Sequence, residues 1–68
     1  MPFIQIEAGK MDKAKKEKLI EGFTNLASET LGLAKESFVI LIKENDLDNW
    51  GTGGRMLSKV LAERSSKE

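Results

Sequence analysis

The residue best equipped for chemistry is the proline that follows the initiator methionine, in the start Met1-Pro2-Phe3-Ile4. An initiator methionine is normally removed when a small residue follows, and the product would begin with Pro2. Its nitrogen is then a secondary amine held in a ring, able to accept a proton or to attack a carbonyl. A general base works best when its pKa lies near the working pH. Desolvation or a neighbouring cation lowers an amine pKa by disfavouring the protonated form. With Met1 retained, the same nitrogen is an amide with no basicity. Pro2 is then only a strand opener whose missing N–H is harmless. The residue by itself leaves both readings open.

Other chemistries find less support. Gly51-Thr52-Gly53-Gly54 precedes a helical pattern, and glycines at a helix N-terminus can cradle phosphate. The run has neither the GxGxxG nor the GxxxxGK[ST] spacing, and the chain is too short for either host fold. There is no cysteine and no histidine, so disulfides are excluded and no metal site is expected. Eleven basic and eleven acidic residues cancel, which argues against electrostatic binding to nucleic acid or acidic lipid. The lysines between residues 10 and 18 are interrupted by Asp12 and Glu17 and read as a solvated helix face. The longest apolar stretch, Phe38–Ile42, is too short for a bilayer, and no signal-peptide pattern is visible. A cysteine-free chain fits a reducing cytoplasm.

The elements that would position these residues follow from periodicity. Sixty-eight residues make a single domain, 1–68. A chain of this size buries only about 60% of its unfolded surface, and without disulfides or metals self-association is the remaining route to stability. Residues 2–8 read as a strand, with Ile4, Ile6 and Ala8 on one face and Phe3, Gln5 and Glu7 on the other. Gly9-Lys10-Met11 turns the chain and Asp12 is placed to cap a helix. Leu19, Ile20, Phe23, Leu26, Ala27 and Leu31 form its apolar stripe, and Gly32 suits a left-handed C-cap. Gly22 inside the helix costs up to about 1 kcal/mol relative to alanine. Phe38–Ile42 is apolar on both faces, the pattern of a central strand covered on each side. Strand, helix and strand predict a parallel β-α-β unit with a right-handed crossover. Two parallel strands alone are not a stable sheet, so further strands or a second layer must come from another chain. Glu44 to Gly54 is rich in turn residues around Trp50, and Met56, Leu57, Val60 and Leu61 predict a short amphipathic helix. Residues 65–68 are expected to fray.

In their order and spacing, Pro2-Phe3-Ile4-Gln5-Ile6, the Gly9-Lys10 turn, Leu19-Ile20, Trp50-Gly51-Thr52-Gly53-Gly54 and Leu57-Ser58-Lys59-Val60 resemble the 4-oxalocrotonate tautomerase family. The resemblance covers nearly the whole chain. It implies an α+β fold, a β-α-β subunit whose strands pair across subunits into a four-stranded sheet with helices on one face. It also implies self-association, as a trimer of dimers or as a dimer, which agrees with the need for a partner surface. The implied activity is that of a cofactor-independent isomerase acting on a small enol or 2-keto acid. There a neutral N-terminal proline, Pro2 here, moves a proton between an enol oxygen and a carbon. Two arginines, one from a neighbouring subunit, hold the substrate's oxygens, and an aromatic residue before the glycine-rich turn forms an apolar wall.

Trp50 matches that wall, where the best-known members have phenylalanine; its indole is larger and adds a donor. It equally suits an interface anchor. The first arginine position falls on Lys10, with one residue missing earlier in the loop. Lysine keeps the charge without the bidentate fork, and is also what a solvated turn would carry. The second arginine position falls on Val39, which binds no anion. Arg55, after the Gly-Gly turn, is the nearest replacement or else a surface residue. Losing a charged clamp costs on the order of 2–4 kcal/mol of transition-state stabilisation. A substrate smaller or less charged than the dicarboxylate of the best-known member is therefore expected, with keto–enol tautomerisation favoured over hydration of acetylenic or halogenated acids. The competing reading is a non-catalytic oligomer with the tautomerase fold but no anion clamp.

Overall fold

The computed structural model describes residues 1–67. Strand β1 (Phe3–Ala8) opens directly after Pro2. Proline has no N–H for a ladder, but the Pro2 carbonyl still accepts the Val39 amide at 3.1 Å. Strand β2 (Val39–Glu44) runs parallel to β1, in register from Phe3 opposite Val39 to Ala8 opposite Glu44. Beyond it, the Asn45 amide donates to the Ala8 carbonyl at 2.7 Å. This second strand starts one residue later than its apolar run. Phe38 ends a 3₁₀ turn (Lys35–Ser37), and its amide is already given to the Lys35 carbonyl at 3.1 Å. The strand also runs on through Lys43 and Glu44, because Glu7 and Ala8 are there to pair with them.

Helix α1 (Lys13–Leu31) links the strands. An Asp12 carboxylate oxygen accepts the Lys15 amide at 2.8 Å, satisfying one of the donors that a helix start leaves unpaired. At the other end Gly32 adopts φ 67° and returns its amide to the Ser28 carbonyl at 2.9 Å, the left-handed cap expected of glycine there.

The turn-rich segment after β2 is more ordered than its composition predicts. A 3₁₀ turn (Leu47–Asn49) is capped by the Asp46 carboxylate, which accepts the Asp48 amide at 3.0 Å. A hairpin follows, β3 (Gly51–Thr52) against β4 (Arg55–Met56). Its central residues Gly53 and Gly54 have φ 58° and 80°, the paired positive values that match a tight turn to the twist of its strands. That hairpin draws Met56 out of the expected helix, and α2 (Leu57–Lys67) begins one residue later. With no glycine or proline to stop it, α2 continues through residues 65–67, where fraying was expected; Glu68 lies outside the described residues.

Ile4, Ile6, Ala8, Ile40 and Ile42 share the half-buried face of the sheet. The opposite face is open: Phe3 is 57% exposed, Val39 44% and Leu41 42%. The expectation that β2 is covered on both sides is thus not met within one chain, because a single helix can cover only one face. The α1 stripe is not buried either, with Ile20, Phe23, Leu26 and Leu31 all exposed. Among the described residues no side chain is fully buried. The radius of gyration is 15.8 Å, against about 11 Å for a compact domain of this length. A chain without a core is not stable by itself. Its thermal midpoint is accordingly expected to rise with protein concentration, as for any fold completed by association. A midpoint constant across a dilution series would show that the lone chain is stable.

Candidate active site

Pro2 lies at the N-terminal end of β1 and is half-buried, its carbonyl tied to Val39. The ladder residues nearest Pro2 in the chain and across the register are Phe3, Ile4, Val39 and Ile40, so this end of the sheet is apolar. Val39 stands where the resemblance places a second arginine, and no cation replaces it in the ladder at that end.

Lys10 and Trp50 lie at the other end of the strands. Lys10 is exposed and follows the bend at Gly9. With Asp46, Leu47 and Ser58 it lines an open cleft of about 350 Å³. A β-carbon on Gly9 would meet a Leu47 methyl at 3.4 Å, so this bend lies directly against the 3₁₀ turn. Trp50 is half-buried and lines a neighbouring cleft of about 460 Å³ with Glu7, Asn45 and Asn49. Its indole N–H donates to the Asn45 carbonyl at 3.3 Å, and its own carbonyl accepts the Leu57 amide at 2.9 Å. Trp50 is therefore fixed between the end of the sheet and the start of α2. Since its N–H is already engaged, the ring offers its face rather than a donor.

Arg55 is elsewhere. Its guanidinium pairs with Glu63 one face along α2, and it lines neither the Lys10 cleft nor the Trp50 cleft. The Glu63 carboxylate holds the guanidinium pKa up, and Arg55 holds the Glu63 carboxyl below the usual carboxylate range.

The structure thus brings Lys10 and Trp50 to one end of the sheet and leaves Pro2 at the other. The six residues of β1 between them span about 20 Å at the rise of a strand. No small substrate reaches from Pro2 to Lys10 inside one chain.

Glu44, which the sequence reading passed over, organises the Lys10 end. One of its carboxylate oxygens accepts the Met11 amide at 2.9 Å and the other accepts the Lys16 ammonium at 2.6 Å. The Lys16 hydrogen bond, then the Met11 amide, hold the carboxyl below its usual range. A signal was available: Glu44 continues the face of Ile40 and Ile42, and an acid on that face calls for a partner. Among the described residues, no group of three or more metal-ligating side chains converges. No described helix is long and apolar enough to cross a membrane.

A parallel β-α-β unit opening on a proline, with an aromatic residue set before a Gly-Gly hairpin, defines a subunit of the tautomerase class. The family described as tautomerase enzyme matches residues 2–60, and the chain belongs to that family. It is 38% identical over 61 residues to a probable tautomerase, K2, of Dickeya dadantii, covering 87% of this chain and 91% of that one. Among solved structures it is similar to TomN, a 4-oxalocrotonate tautomerase homologue of the tomaymycin biosynthetic pathway. The TM-score is 0.85 at 27% identity, covering 90% of this chain and 95% of the other. DmpI from Helicobacter pylori superposes with a TM-score of 0.78 at 34% identity, covering 85% and 98%.

The depressed Glu44 pKa has a consequence for stability. A carboxyl whose folded pKa lies below its unfolded one stabilises the fold above the unfolded pKa, and the contribution is lost as pH falls through the folded value. The urea midpoint is expected to drop on acidification below about pH 4, and to drop less in Glu44→Gln. Glu63 titrates in the same direction in both proteins and cancels from the comparison. Equal drops in the two would detach Glu44 from the effect.

Proposed function

We propose that this chain, once Met1 is removed, is a cofactor-independent cytoplasmic tautomerase that isomerises a small enol or 2-keto acid with Pro2 as its general base. The observation that carries the reading is the position of Pro2 in a family-matched fold. Its carbonyl is locked into the ladder at 3.1 Å from the Val39 amide, which ties the residue to the apolar end of the sheet. Met1 is 92% exposed, so its removal takes nothing from the packing.

In the reaction the neutral Pro2 amine takes the enol proton as the O–H bond breaks. The electron pair moves through the double bond to form the carbonyl, and the ammonium returns the proton to carbon in a 1,3- or 1,5-shift. The amine ends neutral, ready for another turnover. Covering this apolar strand end in an assembly favours that neutral form, because desolvation penalises the ammonium.

The separation of Pro2 from Lys10 leads to a site shared between copies. A second chain running antiparallel along the free edge of β1 brings its own Lys10 and Trp50 ends toward the first chain's Pro2. The two then form a four-stranded sheet with helices on one face. The exposed Phe3, Val39 and Leu41 face is the surface through which such dimers assemble further, as a hexamer built of three dimers. Within that site Lys10 holds the substrate carboxylate and Trp50 forms the wall. Arg55 reaches a substrate only by exchanging Glu63 for the substrate's carboxylate. One lysine in place of two arginines selects a monocarboxylate.

Ketonisation of 2-hydroxydienoates and arylpyruvate enols, followed in the ultraviolet with protein shown by intact mass to lack Met1, tests the reading. Pro2→Ala is expected to lower kcat by about two orders of magnitude or more. Lys10→Ala is expected to raise KM for acidic substrates. An unchanged rate in the Pro2 variant rejects the assignment. Val39 and the engaged Arg55 favour a second reading, an oligomer without catalysis. Native protein that uniformly retains Met1 and ketonises none of these enols would establish it.

A further inference from the structure

We infer that Glu44 is a positioning residue for Lys10, acting through the backbone of the loop that carries it; the inference rests on the substrate-binding role proposed for Lys10. The Met11 amide belongs to the peptide group that joins Lys10 to Met11, and Glu44 accepts that N–H at 2.9 Å. Holding this peptide plane fixes ψ of Lys10, and with it the direction in which the lysine side chain leaves the loop. On the other side of Lys10, the bend at Gly9 runs close to Leu47, whose methyl a β-carbon there would meet at 3.4 Å. The loop is therefore held by Glu44 on the C-terminal flank of the one residue proposed to grip a carboxylate, with Leu47 close by on the other. The second Glu44 oxygen takes the Lys16 ammonium at 2.6 Å, which anchors the carboxylate itself to the first turns of α1.

Electrostatics and positioning predict opposite effects here. Lys10, Lys16 and Glu44 together carry one net positive charge, and the Lys10 charge reaches Glu44 closely enough to help hold its carboxyl ionised. Deleting the carboxylate leaves two unopposed cations, so long-range attraction alone would tighten the binding of an acid. Loss of positioning weakens it. The sign of the change separates the two causes. A glutamine at this position separates them further, because its amide oxygen still accepts the Met11 N–H while its charge is gone.

The experiment uses protein lacking Met1, with phenylenolpyruvate as the acidic substrate and its methyl ester as the uncharged control. Glu44→Ala is expected to raise KM for the acid about tenfold, the scale of losing a hydrogen bond to a charged group, and to leave the ester unaffected. Glu44→Gln is expected to keep KM at or below that of the parent. In a Lys10→Ala background, Glu44→Ala is expected to add nothing, since there is no ammonium left to aim. The inference is overturned if KM for the acid falls or stays unchanged in Glu44→Ala, if glutamine behaves like alanine, if the ester is affected equally, or if the effect persists without Lys10. Lys10→Ala with a parental KM removes the Lys10 reading itself. A raised KM in Lys10→Ala beside an unchanged one in Glu44→Ala rejects the role of Glu44 alone.

Discussion

Everything in this chain hangs from the parallel ladder between β1 and β2, which runs without interruption from the Pro2 carbonyl to the Asn45 amide. Parallel strands cannot be joined by a tight turn, so the ladder obliges a long crossover, and α1 supplies it. That crossover covers only one face of a sheet of two strands. The apolar side chains left on the other face, together with the α1 stripe, make the fold dependent on a further surface. The same ladder sets the geometry of the proposed site. It carries the proline at one end and delivers Lys10 and Trp50 to the other.

Short polar contacts complete the lysine end where hydrophobic packing is thin. Asp12 caps α1, Asp46 caps the following 3₁₀ turn, and Glu44 ties the end of β2 to the start of α1. Each is exposed, so its value lies less in bulk stability than in direction: carboxylates accepting backbone N–H groups set the orientation of peptide planes. Trp50 is oriented in a related way, by its indole N–H on Asn45 and its carbonyl on Leu57. A site built on loops gains its geometry from such contacts rather than from a core.

Much of this was legible in the residues. The period-two alternation of Phe3–Ala8, the stripe of α1, its Asp12 and Gly32 caps and the apolar run of β2 each carry local signals, and all three elements formed, with both caps in place. The ends of β2 were less legible. They depend on which β1 residues remain to be paired, and on the 3₁₀ turn that takes the Phe38 amide. The hairpin at Gly51–Met56 was missed because two-residue strands hold no periodicity; only the Gly53-Gly54 pair signals it. Glu44 was passed over because its partners, Met11 and Lys16, lie 33 and 28 residues away in the chain.

The sequence by itself determined the class of fold and which residues open the first strand, follow the Gly9 turn and precede the Gly-Gly hairpin. These are properties of residue type and local spacing. Only the tertiary structure decided that Trp50 comes to the Lys10 end of the sheet, that Arg55 is held by Glu63, and that Glu44 grips the loop beside Lys10. Strand direction and register convert sequence separation into distance, and neither is settled until β1 has found β2.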